Sequence, residues 1–223
     1  PEAVIEFDGM VRPLFEKHFP RTKQMRIVDF NQGVDARLLT EEKMKKLAEL
    51  NIRPLRIAFD YYTMKDIYEA AVRLAVKYGI TELSNYLLYN YKDRPDELYY
   101  RMKLNVDLCE ELDVTIYSFP MKYHPIDDPR FFGNRDYVGK HWNRKFIRAV
   151  QAVLNSTKGK IGRGKSFFEE AFGESIQAFH RILWMPEAFI IHRFKYKDTL
   201  AAEWWERYSS LSAQKLTRLQ RIV

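Results

Sequence analysis

The sequence predicts an α/β fold, with a partial (β/α) barrel of about four parallel strands over residues 1–125 and an all-helical extension over residues 126–223. Two observations predict it. Short apolar runs of strand length alternate with amphipathic stretches at intervals of about 28 residues, which is typical of βα units. After residue 142 only helical periodicity remains.

The predicted strands are short apolar runs, and each of the first three is followed by a stretch with a helical pattern. The strands cover residues 26–30, 55–59, 82–88 and 114–118. The helices between them begin after Thr40, at residue 64 and at Pro95, and the second stops at Gly79. Residues 3–19 form an amphipathic lead that Pro13 interrupts.

The C-terminal extension shows apolar residues at helical spacing in several successive stretches. The predicted helices cover residues 142–154, 166–172, 175–184, 186–195 and 199–208. Their aromatic stripes are typical of a packed core.

Composition restricts the class of protein. The chain is 46% hydrophobic and 15% aromatic, so it can bury a large core, and its net charge of +7 favours polyanionic partners or simply a basic enzyme. No run approaches the ~20 apolar residues of a membrane span. The single cysteine, Cys109, is expected in the core; it excludes a multi-cysteine cluster site within this sequence and favours the cytoplasm.

The strongest functional signal lies in the loops that follow the predicted strands. These loops are polar and aromatic, whereas the helix surfaces carry ordinary Glu and Lys residues. Because right-handed crossovers bring the carboxyl ends of parallel strands to one edge, we expect these loops to form a ligand site. They cover residues 31–35, 60–62, 89–93 and 119–125.

The same segments carry a family resemblance. Residues 29–42, 56–60, 86–98 and 117–125 resemble, in order and spacing, the third to sixth strands and their loops in the radical SAM partial barrel of cobalamin-binding-associated members. The hallmark Cys-x3-Cys-x2-Cys is absent from this chain. The resemblance, together with a first residue other than Met, favours the C-terminal piece of a longer enzyme that is inactive alone. A degenerate member is the alternative.

The resemblance implies two cofactors for the full protein, S-adenosylmethionine and a 4Fe-4S cluster, and allows a cobalamin. The reduced cluster would cleave S-adenosylmethionine to a radical that abstracts hydrogen from an unknown substrate. The cofactor-binding candidates in this chain are Asn31, Gln32, Asp60, Tyr89, Asn90 and Ser118. For each of them the alternative is a hydrogen bond that only orders a loop. Asp35 and Arg37 are expected to form a structural ion pair.

Residues 159–166 formally match the phosphate-binding pattern G-x4-G-K-S, but no strand precedes them, so a basic interhelix loop is expected. Its candidate anion contacts are Arg163 and Lys165. Two alternative functions remain. Residues 140–165 could make the chain a nucleic-acid-binding module, or the whole chain could be a degenerate barrel that acts as a scaffold. His124, in the loop over residues 119–125, is a candidate general acid or base. No metal site is expected.

Overall fold

The computed structural model describes residues 2–18, 27–133 and 136–222. These residues form an α/β fold in which a small parallel sheet is surrounded by helices. The α/β class is therefore confirmed, whereas the partial barrel stays a prediction. The strands are β1 (Leu55–Arg56), β2 (Glu82–Tyr89) and β3 (Thr115–Lys122). Their order in the sheet is β1-β2-β3 and both neighbouring pairs are parallel.

Eleven α-helices lie in the described ranges. They are α1 (Glu2–His18), α2 (Glu41–Ala48), α3 (Lys65–Lys77), α4 (Pro95–Leu112), α5 (Arg144–Ser156), α6 (Lys165–Phe172), α7 (Ile176–Trp184), α8 (Glu187–Ile191), α9 (Arg193–Tyr196), α10 (Leu200–Ser209) and α11 (Ala213–Ile222). The one helix predicted over residues 186–195 is divided at His192, whose φ of −105° and ψ of 35° leave the helical region. The sequence did not predict α11.

The prediction of four strands is wrong for the described residues, whose sheet has three. We call residues 27–34 the edge segment. It runs parallel to the stretch that contains β1, but pairs with it only at two isolated bridges, Val28 with Ile52 and Val34 with Ile57. Between these bridges the chain turns, and the Gly33 amide donates to the Phe30 carbonyl at 2.7 Å. The turn interrupts the ladder, so a continuous strand cannot form. Residue 26 lies outside the described residues.

The opposite edge of the sheet is covered by the glycine-rich loop. Ile161 pairs antiparallel with Ser118, and their amides and carbonyls exchange hydrogen bonds of 2.7 and 2.8 Å. An antiparallel cover of this kind protects an edge strand from pairing with another chain. Residues 159–166 therefore serve the sheet edge at Ile161 and then begin α6.

Helices α3 and α4 pack on one face of the sheet, and the extension packs on α4. The Tyr99 ring of α4 lies 5.7 Å from Phe168 and 5.2 Å from Phe179, and its hydroxyl donates to the Gly173 carbonyl at 3.1 Å. One connected core runs through the sheet, α4 and the extension helices. The division at residues 125 and 126 stays a prediction. None of the described helices is long and apolar enough to cross a membrane.

Candidate functional site

One face of the sheet is packed against helices, whereas the other carries partly exposed side chains among the described residues. In β3, Ile116 and Ser118 are buried, whereas Tyr117 between them is 37% exposed and Met121 is 49% exposed. Successive side chains of a strand point to opposite faces, so the exposed positions share the face away from α3 and α4. We call this the open face.

Arg56 is the principal charged group of the open face. Its guanidinium donates to both carboxylate oxygens of Asp29, at 2.9 and 3.0 Å, and to the Ser84 hydroxyl at 3.1 Å. The guanidinium hydrogen bond holds the pKa of Asp29 below its ordinary value, and the carboxylate in turn raises the pKa of Arg56. This bidentate pair ties the edge segment to β1 and β2.

Aromatic rings surround this pair. The Arg56 guanidinium lies 5.6 Å from the centre of the Tyr86 ring, and the Tyr86 and Phe119 rings are 5.9 Å apart. The Lys160 ammonium stands 4.8 Å over the Tyr117 ring at the β3 edge. Aromatic faces beside a guanidinium and hydroxyl groups form a surface suited to a flat, polar, ring-containing ligand.

The carboxyl edge of the sheet, which we call the rim, is held by the fully buried Arg101 of α4. Its guanidinium donates to the carbonyls of Phe59 (3.1 Å), Asp60 (2.8 Å) and Leu88 (2.8 Å). It also pairs with Asp93 at 3.3 Å, and its Nε donates to a carbonyl one helical turn back. One side chain therefore fixes the chain after β1 and the end of β2 relative to each other.

Asp93 connects the rim to the extension. Its Oδ1 accepts from the Tyr91 amide at 3.0 Å, and the Trp142 indole donates to its carbonyl at 3.0 Å. Burial raises the pKa of Asp93 in spite of these hydrogen bonds, and burial lowers the pKa of Arg101. The two buried charges compensate each other, which indicates a structural role for the pair.

Three of the predicted cofactor residues are exposed. Asn31 and Gln32 lie in the turn that interrupts the edge segment, next to Gly33, where a side chain would approach Arg56. Asp60 is exposed beyond β1, and only its carbonyl is held by Arg101. The nearby Asp35 and Arg37 form the expected ion pair, at 2.6 Å.

The other three predicted residues are buried and already bonded. Tyr89 packs against Trp142 with ring centres 5.3 Å apart. Asn90 has a φ of 67°; its amide nitrogen donates to the Tyr137 carbonyl at 3.1 Å and its oxygen accepts from the Gly139 amide at 2.8 Å. Ser118 faces α4 and accepts from Asn105 at 2.7 Å. The rim thus contains Asp60, Tyr89 and Asn90, whereas Ser118 lies between the sheet and α4.

His124 also lies near the rim. Its Nε2 is 2.9 Å from the Phe131 carbonyl oxygen, while its buried Nδ1 has no hydrogen-bond partner in the part of the chain that the structure describes. The Tyr91 and Tyr123 rings beside it are 4.3 Å apart. Among the residues described, no group of three or more His, Cys, Asp or Glu side chains is arranged to hold a metal ion.

Several basic residues of the extension, including both candidate anion contacts, form ion pairs within the chain. Arg163 forms an ion pair with Asp113, and Lys165 lies 4.0 Å from Glu169 on the same helix. Arg148 pairs with Glu187 at 2.6 Å. The two candidate anion contacts therefore already face carboxylates.

Sequence reasoning missed Arg56, Asp29 and Arg101. Residues 115–122 show no alternation of polar and apolar side chains, so the sequence carried no local signal for the open face. For Arg101 the signal was a charged residue on an apolar helical stripe, between Leu98 and Asn105, because an arginine there must find buried acceptors.

Comparison of the chain with models of protein families, with curated proteins and with solved structures gave no match.

Proposed function

We propose that this chain is the C-terminal part of a radical SAM enzyme, and that its open face and rim bind S-adenosylmethionine beside the substrate. The observation that carries the proposal is the pairing of a parallel βα arrangement with a polar and aromatic open face on the side away from the helices. The sheet would then be one wall of a partial barrel, completed by strands outside this sequence. The order of the motifs over residues 29–125 supports this reading.

The residues of this chain do not fit an iron–sulfur cluster. Cys109 is buried, its sulfur accepts from the Ile116 amide at 3.2 Å, and burial raises the pKa of the thiol. Cluster ligands are several accessible thiolates. In this proposal the cluster ligands therefore come from a segment outside this sequence, and no catalytic step is assigned to residues here.

The residues do fit S-adenosylmethionine, which when bound and reduced would supply the 5′-deoxyadenosyl group that takes hydrogen from the substrate. Asp60 is an exposed carboxylate that suits the ammonium of its methionine part, and the exposed amides of Asn31 and Gln32 suit its carboxylate or ribose. The Tyr86 and Phe119 rings suit the adenine. Tyr89, Asn90 and Ser118 support the site from behind by ordering the rim and the sheet.

The chain's own contribution is orientation and exclusion of water. Arg101 keeps the ends of β1 and β2 in a fixed relation, and the Arg56–Asp29 pair keeps the edge segment against the sheet. A ligand between the open face and a completing wall would be shielded from solvent.

The decisive experiment expresses the longest reading frame that contains this chain, under anaerobic conditions with added iron and sulfide. We expect a bound 4Fe-4S cluster and, after reduction, release of 5′-deoxyadenosine from S-adenosylmethionine. A frame without three cysteines at the family spacing, or a protein that binds no cluster, would overturn the proposal.

A variant tests the role of Asp60 in that longer protein. Asp60→Asn removes the charge that pairs with the ammonium, so we expect S-adenosylmethionine to bind about tenfold more weakly. Asp198→Asn, an exposed carboxylate of the extension, is the matched control and should bind as the unsubstituted protein does. Equal affinity of both variants would remove Asp60 from the site.

A further inference from the structure

A second site lies in the helical extension, where short helices leave a cavity of about 220 Å³. Its walls come from α6 to α10. Small side chains make the space, namely Ala171, Ala178 and Ala201, and larger apolar side chains such as Ile182 and Ile190 complete the lining. The cavity therefore offers an apolar interior.

Three cations line the same cavity. They are Arg181 of α7, Arg193 of α9 and Lys197, which follows α9. The Arg181 guanidinium lies 4.6 Å over the Trp205 ring, and Arg193 donates to the Glu170 carbonyl at 2.8 Å. Within the described ranges none of the three makes an ion pair with a carboxylate. Burial lowers the pKa of both arginines.

This arrangement places three cations beside apolar surface, and the one carboxylate in the lining, Glu170, acts only on Arg193 and from a distance. Removing a guanidinium from water is costly unless an anion faces it. The Glu170 side chain is exposed, while its backbone serves Arg193. A ligand that brings an anionic head and an apolar body would satisfy both halves of the lining.

We propose that this cavity binds a small anionic amphiphile, a carboxylate on an apolar chain. Its space corresponds to ~7 water volumes, which suits on the order of ten non-hydrogen atoms. The carboxylate lies between Arg181 and Arg193, whose planar forks match it, and the apolar chain lies along the alanines. This site is separate from the open face and does not depend on the function proposed above.

The test is calorimetric titration of the full chain with octanoate, and with octanol and octylammonium as probes of equal length. We expect octanoate to bind in a one-to-one ratio and octylammonium not to bind. Octanol should bind at least about tenfold more weakly than octanoate. Added salt should weaken octanoate and leave octanol unchanged. Absence of octanoate binding, or equal affinity for octanol, would overturn the proposal.

Substitutions in the lining test where octanoate binds. Arg181→Gln and Arg193→Gln should each weaken octanoate about tenfold, and Ala201→Leu should fill the cavity and abolish binding. Arg207→Gln, an exposed arginine of α10 outside the lining, is the matched control and should change nothing. Should Ala201→Leu fail to fold, the two arginine variants decide alone. Unchanged affinity in both of them contradicts the site.

Discussion

At the scale of single residues, the rim is held by a guanidinium that has no contact with solvent. Arg101 serves three carbonyls of the rim and the carboxylate of Asp93. Without the arginine, the three carbonyls would lose this donor and the buried Asp93 carboxylate would lose its counter-charge. The stabilising effect of such a group is large because its loss leaves both a charge and several carbonyls unpaired.

We predict that Arg101→Met, which keeps most of the volume, lowers the free energy of unfolding by about 3–5 kcal/mol. The loss comes from the uncompensated charge of Asp93 and from carbonyls without donors. Urea denaturation followed by circular dichroism measures it. Arg207→Met, at an exposed position, is the control and should stay within about 0.5 kcal/mol of the unsubstituted protein. Equal stability of the two variants would contradict the role of Arg101.

The Asp29–Arg56 pair predicts a dependence on pH. Since folding lowers the pKa of Asp29 from 3.8, its contribution is present above that pH and is lost as the pH falls through the folded value. Asp29 is 40% exposed, so the effect is small, below about 1 kcal/mol. Asp29→Asn should therefore be less stable than the unsubstituted protein at about pH 6, and the difference should be smaller at about pH 3.

Denaturation curves at both pH values check this prediction. Asp198→Asn, an exposed carboxylate of the extension, serves as control and should show no such convergence. A gap between Asp29→Asn and the unsubstituted protein that stays constant down to the lower pH would show that the loss of stability does not come from this charge.

Residue roles were the hardest part of the site to predict. The ion pair of Asp35 and Arg37 was predicted correctly, because the two residues are separated by one position and can reach each other within the loop. Ser118 was expected at the end of the fourth strand, beside a cofactor, yet β3 continues past it to Lys122 and its hydroxyl faces Asn105. Where a strand ends depends on its pairing with neighbouring strands, and those partners are distant in the sequence.

At the scale of elements, the loop before α5 packs against the loop that follows β2 at the rim. Asn90 holds this contact with both ends of its amide, through Tyr137 and Gly139. The chains approach so closely that a Cβ on Gly139 would lie 2.6 Å from the Tyr91 carbonyl oxygen. Gly139 is therefore required by the space and not by its own backbone angles.

Gly139→Ala should lower the free energy of unfolding by about 1–3 kcal/mol, because the two loops must separate to admit the methyl group. Gly133→Ala is the matched control, since nothing lies within 4 Å of its Cβ position. Thermal melts of the two variants provide the comparison. Identical melting temperatures would show that the loop contact is not tight.

Helices were predicted better than strands. Capping residues and long apolar faces located α2, α3, α4 and most of the extension, because helical bonds are local. The edge segment has the composition of a strand, but the turn at Gly33 prevents a ladder. Whether an apolar run pairs along its length depends on its neighbour, so the sequence alone could not exclude it.

At the scale of the whole molecule, the sheet and the extension share their packing. Tyr99 of α4 contacts rings from both α6 and α7, and Trp142 bonds to Asp93 beside the sheet. Such contacts favour a single cooperative unit over two independent ones.

We predict that urea unfolding gives coincident transitions by circular dichroism and by tryptophan fluorescence. All four tryptophans lie at or after residue 142, so their fluorescence reports on the extension, whereas circular dichroism reports on the whole chain. A separate, earlier fluorescence transition would show two units and support the division at residues 125 and 126. Tyr99→Phe offers a mild perturbation, and both transitions should shift together.

The open face was beyond prediction for a reason of scale. The face becomes a surface only when four segments, the edge segment and the three strands, lie side by side. Residues 29, 56, 84, 86 and 119 come from four separate stretches, so their proximity is a property of the fold.

The rim also defines a pattern by which other chains can be recognised. Three residues hold the rim: Asn90, whose backbone is left-handed, and the buried Asp93 and Arg101. Their spacing gives the pattern Asn-x2-Asp-x7-Arg. The spacing follows from one loop and two turns of helix, so it is independent of whichever ligand the rim serves. Proteins too diverged for overall similarity to be seen would still share this short pattern if they share the rim, and a glycine placed to meet the asparagine would distinguish them from chance matches.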